Sequence, residues 1–251
     1  MQKNNPWALI TGANGGVGLS LVRVFEREGY RVIATDQQSQ YFSSAFEGHY
    51  IQADLEQITR SEECAKTFFC DVEHATGGEG VTALINNAAV QNLGSLKTQD
   101  RQGWYNSLSV NLLAPFFLIQ GLAGSLVKNS GSVVNISSIH ANQTKPGFFT
   151  YSTTKAALSA LSRSLAVSVG SGFRINAIEP AAVNTEMLVG GFTGKAEHLK
   201  SLHAYHPVGR IAEPEEVAEL ALFLCSNKAR FIHGECISLS GGIDGRLHDP
   251  E

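Results

Sequence analysis

The chain has 251 residues, 43% of them apolar and 17% charged, with a net charge of −4. That length is within reach of one α/β domain, so residues 1–251 are expected as a single unit. The composition excludes a disordered chain, and nothing in the charge suggests the basic patch or stripe of a nucleic-acid binder. The four cysteines, Cys64, Cys70, Cys225 and Cys236, fit neither zinc nor Cys-x-x-C spacing and are expected as buried, reduced thiols. The polar start has no signal-peptide pattern. The longest apolar run, 112–119, is too short to cross a bilayer. The expectation is a cytoplasmic protein with no membrane partner.

In chain order, residues 7–10 form a short apolar run that ends in a turn holding Gly12, Gly15, Gly16 and Gly18. An amphipathic stretch at 19–28 follows, with Leu21, Val22 and Phe25 on one face, and Gly29 stops it. Residues 31–36 read as a second strand, completing one βαβ unit. Glycines at such a turn let a backbone approach a pyrophosphate, and the helix N-terminus adds amide donors and positive dipole. Asp36 closes the second strand about twenty residues on, where a carboxylate accepts from both adenosine ribose hydroxyls and repels a 2′-phosphate. No Lys or Arg stands at Gln37, Gln38 or within the glycine turn. This pattern points to NAD over NADP.

The alternation continues. Residues 49–54 are a third strand, and Thr59 to Glu62 read as a capping box opening a helix to about Glu73. Residues 81–86 are a strand leading into Asn87, Ala88 and Ala89. A long helix spans roughly 100–128, with Asn111 near its middle. A strand at 131–136 ends in Ser137 and Ser138. A helix carrying Tyr151 runs to about Gly170, and a strand at 173–178 leads to Glu179 and Pro180. The stretch 186–205 looks mobile, Pro214 opens the last helix, and 234–239 is the last strand. Regular alternation implies a doubly wound Rossmann fold: a single parallel seven-stranded sheet with helices on both faces. The tail 246–251 is expected to be loose.

Tyr151 and Lys155 lie four apart on a helix and so share a face. A free phenol, with a pKa of about 10, is a poor base at neutral pH. A nearby ammonium favours the phenolate, which makes the phenol able to take a proton from an alcohol or return one.

Together these motifs identify the chain as resembling the short, single-domain branch of the short-chain dehydrogenase/reductase family. The resemblance runs from Trp7 to about Gly242. It is carried by Thr11, Gly12, Gly16 and Gly18, by Asp54, by Asn86, Asn87 and Ala88, and by Asn111. Asn135 to Ser138, Tyr151 with Lys155, Arg174 to Asn176, Pro180 with Thr185, and Gly241 with Gly242 complete it. The resemblance implies a role for each matching position. Tyr151 would be the acid/base, and Lys155 would lower its pKa and hold the nicotinamide ribose. Ser138, in preference to Ser137, would hold the substrate oxygen, and Asn111 would anchor a relay water. It also implies NAD contacts from Gly12, Asn14, Gly16, Val17, Gly18, Asp36, Asp54, Leu55, Asn87, Ala88, Ala89, Pro180, Val183 and Thr185, beside Tyr151 and Lys155. A homotetramer, or a dimer, built on the two long helices and the last strand would follow, with Phe231 and Ile232 near a contact.

Ala89 and Ala181 stand where the family usually has glycine, so a β-carbon there is expected to crowd the cofactor or to forbid φ > 0. Thr154 replaces a common serine, and Ser240 a common aspartate. Beyond the strand ends, Gln91 and His140 are the substrate-contact candidates, with Lys145, Phe148 and Phe149 close in sequence. The substrate expectation is a small hydroxy acid, sugar or polyol, and residues 186–205 are a candidate lid, with Phe192, Leu199, Leu202 and Tyr205 to close it. The rival reading is a regulatory or scaffold protein of the same fold that binds NAD(H) without turnover.

Overall fold

The computed structural model describes residues 5–43 and 46–246. The expected tail falls largely outside them. Seven parallel strands form one sheet in the order β3-β2-β1-β4-β5-β6-β7. They are β1 (Trp7–Thr11), β2 (Arg31–Asp36), β3 (His49–Gln52), β4 (Ala83–Asn86), β5 (Ser132–Ile136), β6 (Arg174–Pro180) and β7 (Cys236–Leu239). The order reverses between β1 and β4, and at such a switch point a crevice opens beyond the carboxyl ends of the strands.

Strand side chains alternate between two cores. Ile10, Val32, Ile85, Val134 and Ile178 face α1 (Gly16–Arg27) and α9 (Pro214–Cys225). Leu9, Ile33, Leu84, Val133 and Ile175 face α3 (Glu62–Thr76) and α5 (Ala114–Lys128). Helix α1 follows the expected pattern: Leu21, Val22, Val24 and Phe25 are buried, and Gly29 ends it at φ +82°. Asn86 donates to Asn135 across the sheet at 2.8 Å, and Asn135 donates to Ser162 of α6 (Phe149–Val169) at 2.8 Å. This buried ladder fixes the Tyr151 helix against the strand ends.

Several expectations are corrected. Thr59 does not open a helix. Asp54 caps a short helix, α2 (Leu55–Arg60), by accepting from Glu56 N–H, and Thr59 sits in its last turn, donating to the Glu56 carbonyl. The chain then becomes extended at Ser61, which caps α3 through Cys64 N–H. The long helix is divided into α4 (Arg101–Leu108) and α5 by a π-turn over Ser109–Leu113, centred on Asn111. By length and composition the stretch Arg101–Lys128 could cross a membrane, but Leu118, Ile119, Leu122 and Leu126 pack into the sheet. The 186–205 stretch holds two short helices, α7 (Glu186–Gly190) and α8 (Ala196–Tyr205), neither with a buried residue. Cys64 and Cys70 are exposed; only Cys225 and Cys236 are partly covered.

Candidate active site

The glycine turn after β1 meets the end of β4 across the switch point. Gly12 is left-handed at φ +63°, and a β-carbon there would lie 2.7 Å from Ala88 Cα. A β-carbon on Gly18 would lie 2.0 Å from the Gly12 carbonyl oxygen, so helix and turn close together only with glycine at both positions. Thr11 Oγ1 accepts from Asn87 N–H at 3.0 Å and Ala88 N–H at 3.1 Å. Asn87 Nδ2 donates to the Thr11 and Gly12 carbonyls, both at 3.0 Å. Gly16 packs against Thr185, which caps α7 by accepting from Leu188 N–H. The Val183 segment is held by a bridge to Ala212.

Asp36 reaches back to the same turn. Its Oδ2 accepts from Asn14 N–H at 3.0 Å and its Oδ1 from Gln37 N–H at 2.7 Å. Asn14 Nδ2 donates to the Gln40 carbonyl and Asn14 Oδ1 accepts from Phe42 N–H, so the segment after β2 folds over the glycine turn.

On the other side of the crevice, Tyr151, Lys155, Ser138 and Asn111 come together from α6, the end of β5 and the π-turn. The Ser138 and Gln91 side chains lie beside the Tyr151 phenol. Burial raises its pKa, and these two polar side chains oppose that rise. Lys155 Nζ donates to the Ile136 carbonyl at 2.7 Å and lies 5.6 Å from the Tyr151 ring centre. With only 2% of its surface exposed, its pKa is pushed down to about 7 by burial. Asn111 Oδ1 accepts from Val90 N–H at 2.8 Å, and its Nδ2 donates to the Val90 carbonyl and to Thr154 Oγ1, each at 3.0 Å.

The substrate-contact candidates line one wall beside the phenol. His140 stacks on Phe148 with ring centres 4.7 Å apart, and its edge meets Tyr151 at 5.8 Å. Lys145 Nζ sits 4.4 Å from the Phe148 ring centre and forms no ion pair among the described residues. Burial, and then the Lys145 charge, lower the His140 pKa.

The sequence and the fold recur in known proteins. A protein-family model described as enoyl-(acyl carrier protein) reductase matches residues 12–244. The chain belongs to the short-chain dehydrogenase/reductase family. Gluconate 5-dehydrogenase of Gluconobacter oxydans (strain 621H) is 30% identical over 94% of this chain and 93% of that protein. Carbonyl reductase (NADPH) 2 of Sus scrofa is 32% identical over 94% and 95%. The solved ligand-free aldohexose dehydrogenase of Thermoplasma acidophilum superposes with a TM-score of 0.88 at 26% identity, covering 99% of this chain and 97% of that one.

Short-chain dehydrogenase/reductases bind a nicotinamide cofactor, and the switch-point crevice fits one. Helix α1 starts at Gly15 with no side-chain cap and no acidic residue in its first turn, which leaves its first amides for an anion. The backbone carries no strain at the two departures from family glycine: among the described residues only Ser130 is a non-glycine at positive φ, so neither Ala89 nor Ala181 needs the left-handed region. Thr154 accepts from Asn111 through its hydroxyl, a role that the serine it replaces would fill equally. Sequence reading missed Thr11 as the clasp on Asn87, although a hydroxyl closing a strand before a glycine turn is a usable signal.

Proposed function

We propose that this protein is an NAD-dependent oxidoreductase that moves a hydride between nicotinamide and the carbinol carbon of a small polar substrate: a hydroxy acid, sugar or polyol. The observation that carries the reading is the Tyr151 phenol, buried, beside Ser138 and one helical turn from buried Lys155. The nicotinamide supplies the hydride acceptor when bound. In the oxidation direction Tyr151 Oη takes the hydroxyl proton, and in reduction it returns that proton to the carbonyl oxygen. Ser138 Oγ holds the substrate oxygen within reach of the phenol, and protonated Lys155 lowers the cost of the phenolate. Positioning two reactants in one crevice contributes the remainder.

The Asp36 carboxylate supports NAD: a 2′-phosphate would meet a negative charge already held in place by Asn14 and Gln37 amides. Gly12, Val17, Gly18, Asp54, Leu55, Asn87, Pro180, Val183 and Thr185 would form the rest of the cofactor wall. Gln91, His140 and Lys145 would give the substrate polar and positively charged partners. A cytoplasmic homotetramer, or a dimer, is the assembly that suits this reading. Val167 on α6 is 86% exposed and Phe231 before β7 fully exposed, so each offers an apolar side chain that a contact between copies would bury. Light scattering of wild type and of Phe231→Asp tests the assembly.

The deciding assay is NADH formation by purified protein with NAD and a panel of hydroxy acids, sugars, polyols and plain secondary alcohols. NADP runs in parallel and Tyr151→Phe is the control. Turnover with NAD that disappears in the Phe variant supports the reading. NADH binding without turnover across the panel favours a cofactor-binding protein instead, and clear NADP preference overturns the Asp36 argument.

A further inference from the structure

Glu179 lies at the end of β6, with 4% of its surface exposed. Its Oε2 accepts from Asn142 Nδ2 at 2.7 Å and its Oε1 accepts from Ser159 Oγ at 2.7 Å. Among the described residues no lysine or arginine forms an ion pair with it. A carboxylate taken out of water without a cation is costly unless hydrogen bonds replace its hydration. The two donors that replace it here come from different parts of the site.

Asn142 closes the single 3-10 turn Ile139–Ala141, its N–H donating to the Ile139 carbonyl at 3.0 Å. That turn follows Ser138 and carries His140. Ser159 lies two helical turns beyond Tyr151 on α6. Its hydroxyl meets Ser137 Oγ at 2.8 Å, and Ser137 Oγ donates to the Lys155 carbonyl at 3.0 Å. One carboxylate therefore spans the wall bearing His140 and the helix bearing Tyr151 and Lys155.

We propose that Glu179 is a positioning residue whose two oxygens hold the His140 turn in register with the Tyr151 helix, and so set affinity for substrate without setting affinity for cofactor. The kinetic half of this inference rests on the reading of that turn as the substrate wall. Alanine in place of Glu179 leaves the Asn142 amide and the Ser159 hydroxyl without this acceptor, whereas an amide could still meet both because a serine hydroxyl also accepts. Loss of the Asn142 link frees the turn while leaving the glycine turn and Asp36 untouched.

The test compares wild type, Glu179→Ala, Asn142→Ala and the double variant. Asn142 is exposed, so its alanine variant keeps the question open to measurement even where Glu179→Ala does not fold. Hydrogen exchange of the 139–148 backbone is expected to accelerate roughly tenfold in each single variant, as for loss of one charge-assisted hydrogen bond, with no further gain in the double variant. In Asn142→Ala NADH affinity, read by fluorescence, stays within about twofold, because the Asn142 bond touches neither the glycine turn nor Asp36. With the fastest alcohol of the panel above, KM for the alcohol rises while KM for NAD does not. Unchanged exchange in Asn142→Ala, or loss of NADH binding in parallel with it, overturns the proposal. If wild type turns nothing over, the enzyme reading fails on its own and the exchange and NADH measurements still decide the role of Glu179.

Discussion

Asn111 Nδ2 donates to Thr154 Oγ1 at 3.0 Å, joining the π-turn to the helix of Tyr151. With the two bonds to Val90, both amide hydrogens and one lone pair of Asn111 are committed inside the protein. A relay water at this residue has the other lone pair and the backbone of the π-turn to bind. Thr154→Val leaves a buried N–H without an acceptor, which costs about 1–3 kcal/mol. Turnover is expected to fall about tenfold if that strain is felt at Tyr151. Thr154→Ser keeps the acceptor and should match wild type. Steady-state kinetics and melting temperature of the two variants check this.

Lys155 carries a stability consequence of definite sign. Its pKa is about 7 in the folded chain, against about 10.4 for a free lysine. The burial penalty is therefore fully present below pH 7 and is relieved as pH rises towards 10. Lys155→Met should abolish turnover yet raise the melting temperature of the cofactor-free protein at pH 7, by several degrees for a penalty of a few kcal/mol. The gain should shrink towards pH 10. Melting curves across that range, wild type against variant, are the measurement, and a constant difference would count against a depressed Lys155 pKa.

Asp36 governs the choice between cofactors. Asp36→Ala removes the acceptor for the ribose hydroxyls, so the KM for NAD is expected to rise at least about tenfold, the scale of a hydrogen bond to a charged group. KM for NADP should fall at the same time, because the repelling charge is gone. Parallel kinetics with both cofactors read the ratio directly.

Lys145 places a positive charge on the Phe148 ring beside His140. Lys145→Met keeps an unbranched apolar stem against the ring and removes the charge. For a carboxylated alcohol kcat/KM should drop about tenfold or more, as for a lost charge-assisted contact. Neutral polyols should be affected little. Equal effects on both classes would show that the ammonium does not face the substrate.

Much of this architecture was legible because each strand announces itself by an apolar run with a turn residue beyond it. Strand β2 has the expected bounds, Arg31–Asp36, between Gly29 and a charged end. Tyr151 and Lys155 could be paired from spacing alone, since a helix puts residues four apart on one face. The π-turn could not be read: nothing in the types of residues 109–113 favours a wider turn, and it is tertiary contact with Val90 and Thr154 that makes it. Helix α2 was missed because six residues carry little periodicity, and its cap, Asp54, looks equally well like a strand-end carboxylate. The Glu179 contacts join residues 20 and 37 positions apart, a pairing that only the folded sheet creates.

The π-turn also makes the helix through Asn111 sensitive to chain length. A π-turn closes with one residue more than an α-turn, so it works as a one-residue insertion whose extra rotation the helix absorbs locally. Deleting a single residue between 109 and 113 would give a more regular helix. It would also turn everything beyond the deletion by about 100° relative to what precedes it. Leu118, Leu122 and Leu126 would then swing off the sheet, or Asn111 would leave Thr154. For this segment, a gain in local regularity and the retention of the site are mutually exclusive.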